Sequence, residues 1–185
     1  MVSKTLHDAE ERMKKALEAT RREVGHIRAG RATPALLDTV RVDYYGTVTP
    51  LQQLASVGAP EPRLLVVQPW DRSLVKAISK AIQNAGLGLN PTDDGVVVRV
   101  PIPQLTEERR KELVKQVGKL AEEGRVHIRQ VRHDMNKEVK ALEEKGEFSE
   151  DESKRLTADI QKLTDRYVAM VDELLAKKTA EVMEV

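Results

Sequence analysis

Four basic side chains recur along one side of a long predicted helix in the second half of this chain. At about 100° per residue, Arg125, Arg129, Arg132 and Lys140 fall within a stripe roughly 80° wide, and Lys111 projects onto it as well. A guanidinium group keeps its charge and offers a planar fork of donors that fits phosphate oxygens. The stripe therefore predicts a surface that binds a polyanion through its phosphates.

The same pattern has a second interpretation, in which the arginines serve the protein itself. They would then pair with Glu122, Glu123 or acidic groups of the last helix on a solvated face. On the first predicted helix, Lys14, Arg21 and Arg28 recur every seven residues and flank its apolar side. From the pattern alone, the two interpretations carry equal weight.

Charge is distributed unevenly along the chain. The formal net charge is only +1, but residues 1–105 carry +3, residues 106–140 carry +3 and residues 141–185 carry −5. A basic portion and an acidic C-terminal portion can orient a protein on a polyanion.

Catalytic chemistry is hard to find in this sequence. There is no cysteine for a thiolate site, and the Gly86-Leu87-Gly88-Leu89 stretch lacks the spacing and the flanking lysine of a phosphate-binding loop. His127 and His133 are six residues apart and lie on different helix faces, and His7 and His26 form no ligand pair with them. We therefore expect no enzymatic activity, no metal and no cofactor.

Apolar residues at intervals of three and four predict three amphipathic helices that position the basic stripe. The first has Ser3 as a possible N-cap, carries Met13, Leu17 and Ile27, and is expected to end near Gly30. The second follows Thr106 and continues to Gly146, and the third opens with a capping box at Ser149-Glu150-Asp151-Glu152. Together they predict an elongated, antiparallel three-helix bundle formed by residues 1–30 and 105–185.

Residues 31–104 have a different character and predict a small inserted β/α/β domain. Residues 40–44, 64–67 and 96–100 read as strands, and Asp71 caps a helix that should stop near Gly86. The fold class is therefore α+β. Both borders contain proline, in Arg31-Ala32-Thr33-Pro34 and in Pro101-Ile102-Pro103-Gln104. Two stiff connections restrict the insert to swinging about an axis, which predicts hinges near 30–34 and 101–105.

The start of the chain and its hydropathy indicate a cytoplasmic protein. Acidic residues follow Met1-Val2-Ser3-Lys4 without the apolar run of a signal peptide, and no stretch is apolar enough to span a membrane. The lack of cysteine fits a reducing compartment.

Several blocks of sequence, distributed nearly from end to end, are typical of one known family. The blocks are Ile27-Arg28-Ala29-Gly30-Arg31-Ala32, Val42-Asp43-Tyr44-Tyr45-Gly46, Gln53-Leu54-Ala55, Leu87-Gly88-Leu89-Asn90-Pro91, Leu105-Thr106-Glu107-Glu108-Arg109-Arg110-Lys111, Arg129-Gln130-Val131-Arg132-His133-Asp134 and Ile160-Gln161-Lys162-Leu163-Thr164-Asp165. Several blocks in the right order are far more specific than any one of them, and through them the chain resembles the ribosome recycling factor family.

The resemblance implies a fold, a function and partners. The expected shape is an L of near transfer-RNA dimensions, made of a three-helix rod and a β/α/β domain. The implied function is to bind the post-termination ribosome and, with elongation factor G and GTP, to split it into subunits so that mRNA and deacylated tRNA are released. The implied partners are the 23S rRNA of the large ribosomal subunit and elongation factor G, with the factor acting as a monomer.

The family's rRNA-facing arginines map onto Arg28, Arg110, Arg129 and Arg132, to which the stripe adds Arg125 and the neighbouring position His133. The predicted hinge residues are Gly30, Arg31, Thr33, Pro34, Pro103, Gln104 and Leu105. The chain departs from the family pattern at Ala29, Gln130 and His133, where threonine, asparagine and arginine are common. Because a mostly neutral imidazole replaces a fixed charge at His133, phosphate attraction there should be weaker and more sensitive to pH.

Two rival classes make different predictions. A coiled-coil adaptor would present an exposed apolar seam and bind RNA poorly, whereas a hydrolase or transferase would need a pocket with converging titratable groups. Neither explains the proline borders and the arginine row together.

Overall fold

The computed structural model describes residues 2–184, which form two compact units with an α+β architecture. Unit 1 contains the chain up to Ala29 and again from Glu107, and unit 2 is Gly30–Thr106. The elements are α1 (Val2–Gly25), β1 (Arg41–Tyr44), β2 (Thr47–Pro50), β3 (Ala55–Glu61), β4 (Leu64–Pro69), α2 (Val75–Gln83), β5 (Thr92–Asp93), β6 (Val98–Pro101), α3 (Glu107–Glu144) and α4 (Glu150–Met183). Short 3-10 turns occupy Pro34–Leu37, Leu51–Gln53 and Arg72–Leu74.

Unit 1 is a three-helix bundle in which each helix packs on the other two. Its core is made of fully buried aliphatic side chains at the expected helical spacing, among them Met13, Ile128, Met135, Leu156 and Ile160. Burial of each such side chain contributes about 1.5–3 kcal/mol. At a rise of ~1.5 Å per residue, the 38 residues of α3 span about 57 Å, so the unit is long and narrow.

Helices α1 and α3 are in tight contact at a glycine. A Cβ atom added to Gly124 would lie 2.9 Å from Cγ2 of Thr20, which is tighter than real contacts allow. Thr20 is buried and donates its hydroxyl to the carbonyl oxygen of Ala16 at 2.9 Å. The interruption of the apolar spacing at Gly124 therefore leaves the space that the buried side chain of Thr20 fills.

Local sequence signals place the starts of α3 and α4 correctly, whereas α2 stops at Gln83 and not near Gly86. Ser149 and Glu152 form the predicted capping box, in which the Ser149 hydroxyl accepts from the Glu152 amide at 3.2 Å and the Glu152 carboxylate accepts from the Ser149 amide at 2.9 Å. Helix α3 begins directly after Thr106 and has Glu107 and Glu108 in its first turn, where acidic side chains favour the helix dipole.

The prediction for α1 is wrong at both ends. The helix already includes Val2, so Ser3 is not its N-cap. It ends at Gly25 and not near Gly30. In its last turn the His26 amide donates a hydrogen bond to the Arg22 carbonyl, and the Ile27 amide donates one to the Val24 carbonyl. Glycine has a low helix propensity, and this outweighs the apolar residue at Ile27 that continues the pattern.

Unit 2 contains two antiparallel sheets. Strands β1 and β2 form a hairpin, and the second sheet has the order β3-β4-β6-β5. Its core consists of buried residues from the sheets and turns together with the inner face of α2, including Leu37, Leu51, Leu65, Val67, Ile78, Ile82, Val98 and Val100. The sequence did not indicate β2, β3 or β5. Strand β3 contains Gly58 and Pro60, which are rare in strands.

Aspartates at the turns of unit 2 act as caps, as their sequence positions predict. The Asp71 carboxylate accepts from the Ser73 amide at 2.9 Å, which lowers the pKa of Asp71. Asp71 caps the 3-10 turn Arg72–Leu74, which leads into α2, and not α2 itself as expected. The Asp94 carboxylate accepts from the amides of Val96 and Val97, and with Arg99 these donors hold the pKa of Asp94 far below its usual range.

The β1–β2 hairpin closes with a two-residue turn at Tyr45 and Gly46. Both residues have positive φ, +49° for Tyr45 and +82° for Gly46, as in a type I′ turn. The left-handed region costs an ordinary L-residue roughly 1–2 kcal/mol, so a bulky aromatic residue is unusual at this position.

Candidate nucleic-acid interface

The arginine stripe lies on α3 beside the apolar residues that pack into the bundle. Ile128 and Val131 are buried, whereas Arg129 is exposed and Arg132 is half-buried. This follows from the 3.6-residue period, which places residues one or two positions apart on different faces of a helix. The basic face and the core face are therefore compatible, but each arginine has different partners.

Arg125 is committed to contacts within the protein. Its Nε donates to Asp172 of α4 at 2.7 Å, and one terminal nitrogen donates to Glu122 at 2.9 Å. Only 17% of its side chain is exposed, and the bond to Asp172 raises the pKa of Arg125 further. At this position the structure matches the interpretation in which the arginine serves the protein itself, since Arg125 links α3 to α4.

Arg129 has a much looser environment. Its nearest carboxylate oxygen belongs to Glu122 at 3.5 Å, and 47% of its side chain is exposed. The other oxygen of that carboxylate accepts from Arg125 at 2.9 Å. An exposed ion pair of this kind contributes at most about 1 kcal/mol, so phosphate oxygens can compete for Arg129.

Arg132 is held by a neutral group. One of its terminal nitrogens donates to the amide oxygen of Gln161 on α4 at 3.4 Å. The amide nitrogen of Gln161 in turn donates to Asp165 at 2.9 Å, which fixes the amide with its oxygen toward Arg132. The Gln161 amide thus orients the Arg132 guanidinium group. Because this amide is uncharged, it does not neutralise the positive charge of Arg132.

The other predicted contacts lie elsewhere on unit 1. Arg28 is exposed in the non-helical segment after α1, and His133 is exposed on α3 next to Arg132. Arg110 is half-buried in the first turn of α3, and its Nε atom is buried without a hydrogen-bond partner. A buried donor without a partner is costly, and because this Nε atom is closed to solvent, a phosphate could meet Arg110 only through its terminal nitrogens.

Sequence reasoning missed Gln161 and Asp165, the glutamine and aspartate that orient Arg132. Gln161 and Asp165 on α4 are matched on α3 by Gln130 and Asp134, whose side chains are joined at 2.9 Å. Both pairs have an i, i+4 spacing that is visible in the sequence and typical of helix surfaces. The sequence does not indicate which arginine on the neighbouring helix each pair meets.

The border segments of unit 2 are tied to the turn between β3 and β4. The Ala32 amide donates to the Pro62 carbonyl at 2.7 Å, and the Ile102 amide donates to the Arg63 carbonyl at 2.8 Å. Gly30, at φ +76°, lies against Leu105, whose Cγ atom would be 2.9 Å from a Cβ atom at that position.

The remaining predicted hinge residues, Arg31, Thr33, Pro34, Pro103 and Gln104, are exposed. Nothing in these contacts tests the hinge prediction, which stays a prediction.

The rival adaptor function would need an apolar seam on the bundle. In unit 1, the exposed large apolar side chains among residues 2–184 are Val126 and Met183. Since Arg125 meets Asp172 across the helix pair, Met183 lies roughly 17 Å along α4 from the level of Val126. Two isolated side chains at this distance do not form a seam.

Residues 2–184 contain neither a membrane-spanning helix nor a cluster of metal ligands. No helix is long and apolar enough to cross a lipid bilayer. No group of three or more histidine, aspartate or glutamate side chains has a geometry suited to a metal ion.

Comparisons with known proteins point to one family. Residues 20–183 match the family model described as ribosome recycling factor. The ribosome-recycling factors of Symbiobacterium thermophilum and Heliobacterium modesticaldum are 56% and 55% identical to this chain over 185 residues, which covers all of each protein.

Two similar solved structures are also of ribosome recycling factors. A solution structure of the ribosome recycling factor is 42% identical, covers 100% of this chain and 98% of its own, and superposes with a TM-score of 0.75. A second similar structure, 46% identical over the whole of both chains with a TM-score of 0.63, comes from models of the T. thermophilus ribosome recycling factor and the E. coli elongation factor G bound to the E. coli post-termination complex.

Proposed function

The chain belongs to the ribosome recycling factor family, and on this premise we propose that it binds the post-termination ribosome and, with elongation factor G and GTP, splits it into subunits. mRNA and deacylated tRNA are released as the subunits separate. The similar structure that combines a recycling factor with elongation factor G on a post-termination complex supports this assignment of partners.

Unit 1 is the proposed ribosome-binding unit. Its contacts with 23S rRNA are Arg28, Arg110, Arg129 and Arg132, with a weaker contribution from His133. The observation that carries the proposal is the pairing of Arg132 with the neutral Gln161, which leaves an oriented and undiminished positive charge on the bundle surface. Arg125 supports this surface by fixing α3 to α4, and we assign it no direct role in binding rRNA.

The proposed mechanism is mechanical, and the factor breaks no covalent bond. Elongation factor G pushes unit 2, whose borders at 30–34 and 101–105 act as hinges, and the movement is transmitted to a bundle held on rRNA. GTP hydrolysis belongs to elongation factor G. The factor needs no cofactor and acts as a monomer in the cytoplasm.

Replacing Arg132 tests the rRNA contact. Arg132→Ala should weaken binding to isolated large subunits about tenfold and reduce the slope of log K against log salt by roughly 1, because one phosphate contact is lost. The matched control is Lys137→Ala, which removes an exposed cation of α3 outside the stripe and should change binding less than about twofold. Normal binding by Arg132→Ala together with a large loss of thermal stability would refute the assigned role.

A ribosome-splitting assay tests the function as a whole. Purified post-termination ribosomes, elongation factor G and GTP should yield free subunits only when this protein is added. Equal splitting with and without it would contradict the proposed function.

A further inference from the structure

We propose that Glu122 limits the affinity of the arginine stripe for rRNA, because its carboxylate holds Arg129 in the free protein and competes with phosphates for it. This inference rests on the proposed function, in which Arg129 contacts rRNA. Glu122 forms ion pairs with two arginines of the stripe, Arg125 and Arg129, and these two contacts differ in strength.

Glu122 lies on the basic stripe itself. It precedes Arg129 by seven residues, about two helical turns, so the two side chains lie on one line along α3. At about 100° per residue, the other acidic residues between Lys111 and Lys140 all project roughly 80° or more beyond the edges of the stripe. These residues are Glu112, Glu123, Asp134 and Glu138. In this part of α3, Glu122 is therefore the one carboxylate placed in the row of cations.

The Glu122 carboxylate is shared unequally between its two partners. Its Oε2 atom accepts from Arg125 at 2.9 Å, whereas its Oε1 atom lies 3.5 Å from Arg129, beyond the usual range of a hydrogen bond. Arg125 is largely buried and also bonded to Asp172, so this partner is fixed. Arg129 is 47% exposed, and among residues 2–184 no other carboxylate forms an ion pair with it. Arg129 is therefore the partner that a phosphate can take over.

Arg129 can leave Glu122 without stranding a buried charge. The Glu122 carboxylate keeps its bond to Arg125, and 56% of its side chain is already exposed to water. Two opposing effects remain when a phosphate binds Arg129. The weak ion pair with Glu122 is lost, and the nearby carboxylate repels the incoming phosphate. Both effects reduce the affinity that Arg129 contributes.

Orientation of Arg129 does not by itself require a negative charge at this position. Gln161 orients Arg132 through a neutral amide oxygen, and a glutamine at position 122 would offer Arg129 the same kind of acceptor. Nor does Arg125 depend on Glu122 alone, since Asp172 supplies it with a second carboxylate. The charge of Glu122 is thus explained by its effect on binding. A limited affinity suits a factor that has to dissociate from a subunit before it acts again.

The substitution Glu122→Gln removes the charge and keeps the size of the side chain. Binding of the full chain to isolated large subunits should tighten about three- to fivefold, the factor that corresponds to an exposed ion pair. The gain should shrink as salt rises, because exposed charges are screened. Glu123→Gln is the matched control, since it makes the same change of charge at an exposed position on another face of α3. It should change binding less than about twofold.

A double-mutant cycle shows whether Glu122 acts through Arg129. In a chain that already carries Arg129→Ala, Glu122→Gln should tighten binding to large subunits less than about 1.5-fold, because the arginine that it releases is missing. An equal gain with and without Arg129 would overturn the proposal. Unchanged or weaker binding by Glu122→Gln in the wild-type background, or an equal gain with Glu123→Gln, would overturn it as well.

Retention on immobilised heparin separates this inference from the proposed function, because heparin is a polyanion that binds basic surfaces without a ribosome. Glu122→Gln should elute at higher salt than both the wild type and Glu123→Gln, and Arg129→Ala should abolish the difference. If heparin gives this result and large subunits bind none of these proteins, the proposed function fails, whereas the competition between Glu122 and a polyanion is upheld. Elution of Glu122→Gln together with Glu123→Gln would overturn the proposal.

Discussion

Arg125 and Arg132 lie on the same stripe of the same helix, yet the structure surrounds them with opposite chemistry. Arg125 is largely buried and bonded to two carboxylates, Asp172 and Glu122. Arg132 touches the amide of Gln161. One arginine is neutralised to hold two helices together, and the other is oriented while its charge stays available. Helical spacing therefore identifies the face of α3 on which an arginine lies, whereas the residue that it contacts on the neighbouring helix determines its role.

The largest expected effect concerns the packing next to Arg125. Gly124→Ala places a methyl group against the buried Thr20 side chain and should destabilise unit 1 by about 2–3 kcal/mol, since Thr20 or its helix must shift to make room. Chemical denaturation followed by far-ultraviolet circular dichroism measures this. Gly118→Ala is the control, because a Cβ atom there meets nothing within 4 Å, and it should stabilise the helix by roughly 0.5–1 kcal/mol. Equal effects of the two changes would show that the close approach at Gly124 does not matter.

The next prediction gives Arg132 a carboxylate partner on α4, as Arg125 has. Gln161→Glu places a carboxylate where the amide oxygen accepts from Arg132 and converts an oriented cation into an ion pair. Large-subunit binding should weaken about tenfold, with a salt slope lower by roughly 1, while thermal stability stays within ~0.5 kcal/mol of the wild type. Gln161→Met, of similar size and without charge, is the control and should weaken binding less. A Gln161→Glu variant that binds like the wild type would mean that Arg132 does not contact phosphate.

The smallest effect is expected at Arg125 itself. Arg125→Ala removes the link between α3 and α4 and should destabilise unit 1 by about 1 kcal/mol, a modest value because Asp172 and Glu122 are themselves more than half exposed. Binding to large subunits per folded molecule should change less than about threefold. Thermal unfolding and a binding titration on the same sample check both quantities. A tenfold loss of binding without loss of stability would place Arg125 among the rRNA contacts.

Sequence alone could predict the elements whose signals are local. The capping box at Ser149 and the start of α3 after Thr106 follow from residues within one helical turn. The end of α1 was missed because Ile27 continues the apolar spacing beyond Gly25. Strand β3 was missed because its pairing with β4 overrides the poor strand propensity of Gly58 and Pro60.

The candidate site could be predicted only in part, because its chemistry depends on the register between helices. Spacing placed Arg125, Arg129 and Arg132 on one face, and this agrees with the structure. Their partners are distant in sequence, with Asp172 lying 47 residues from Arg125 and Gln161 lying 29 residues from Arg132. No local pattern indicates that a carboxylate meets one arginine and an amide meets the other.

The different roles of Arg125 and Arg132 are tested most directly by the salt dependence of large-subunit binding by the wild type, Arg125→Ala and Arg132→Ala. We expect Arg132→Ala to lower the slope of log K against log salt by roughly 1 and Arg125→Ala to leave it unchanged, because of these two arginines only Arg132 contacts a phosphate and displaces its counterion. Equal slopes for all three proteins, or a lower slope for Arg125→Ala alone, would contradict these roles.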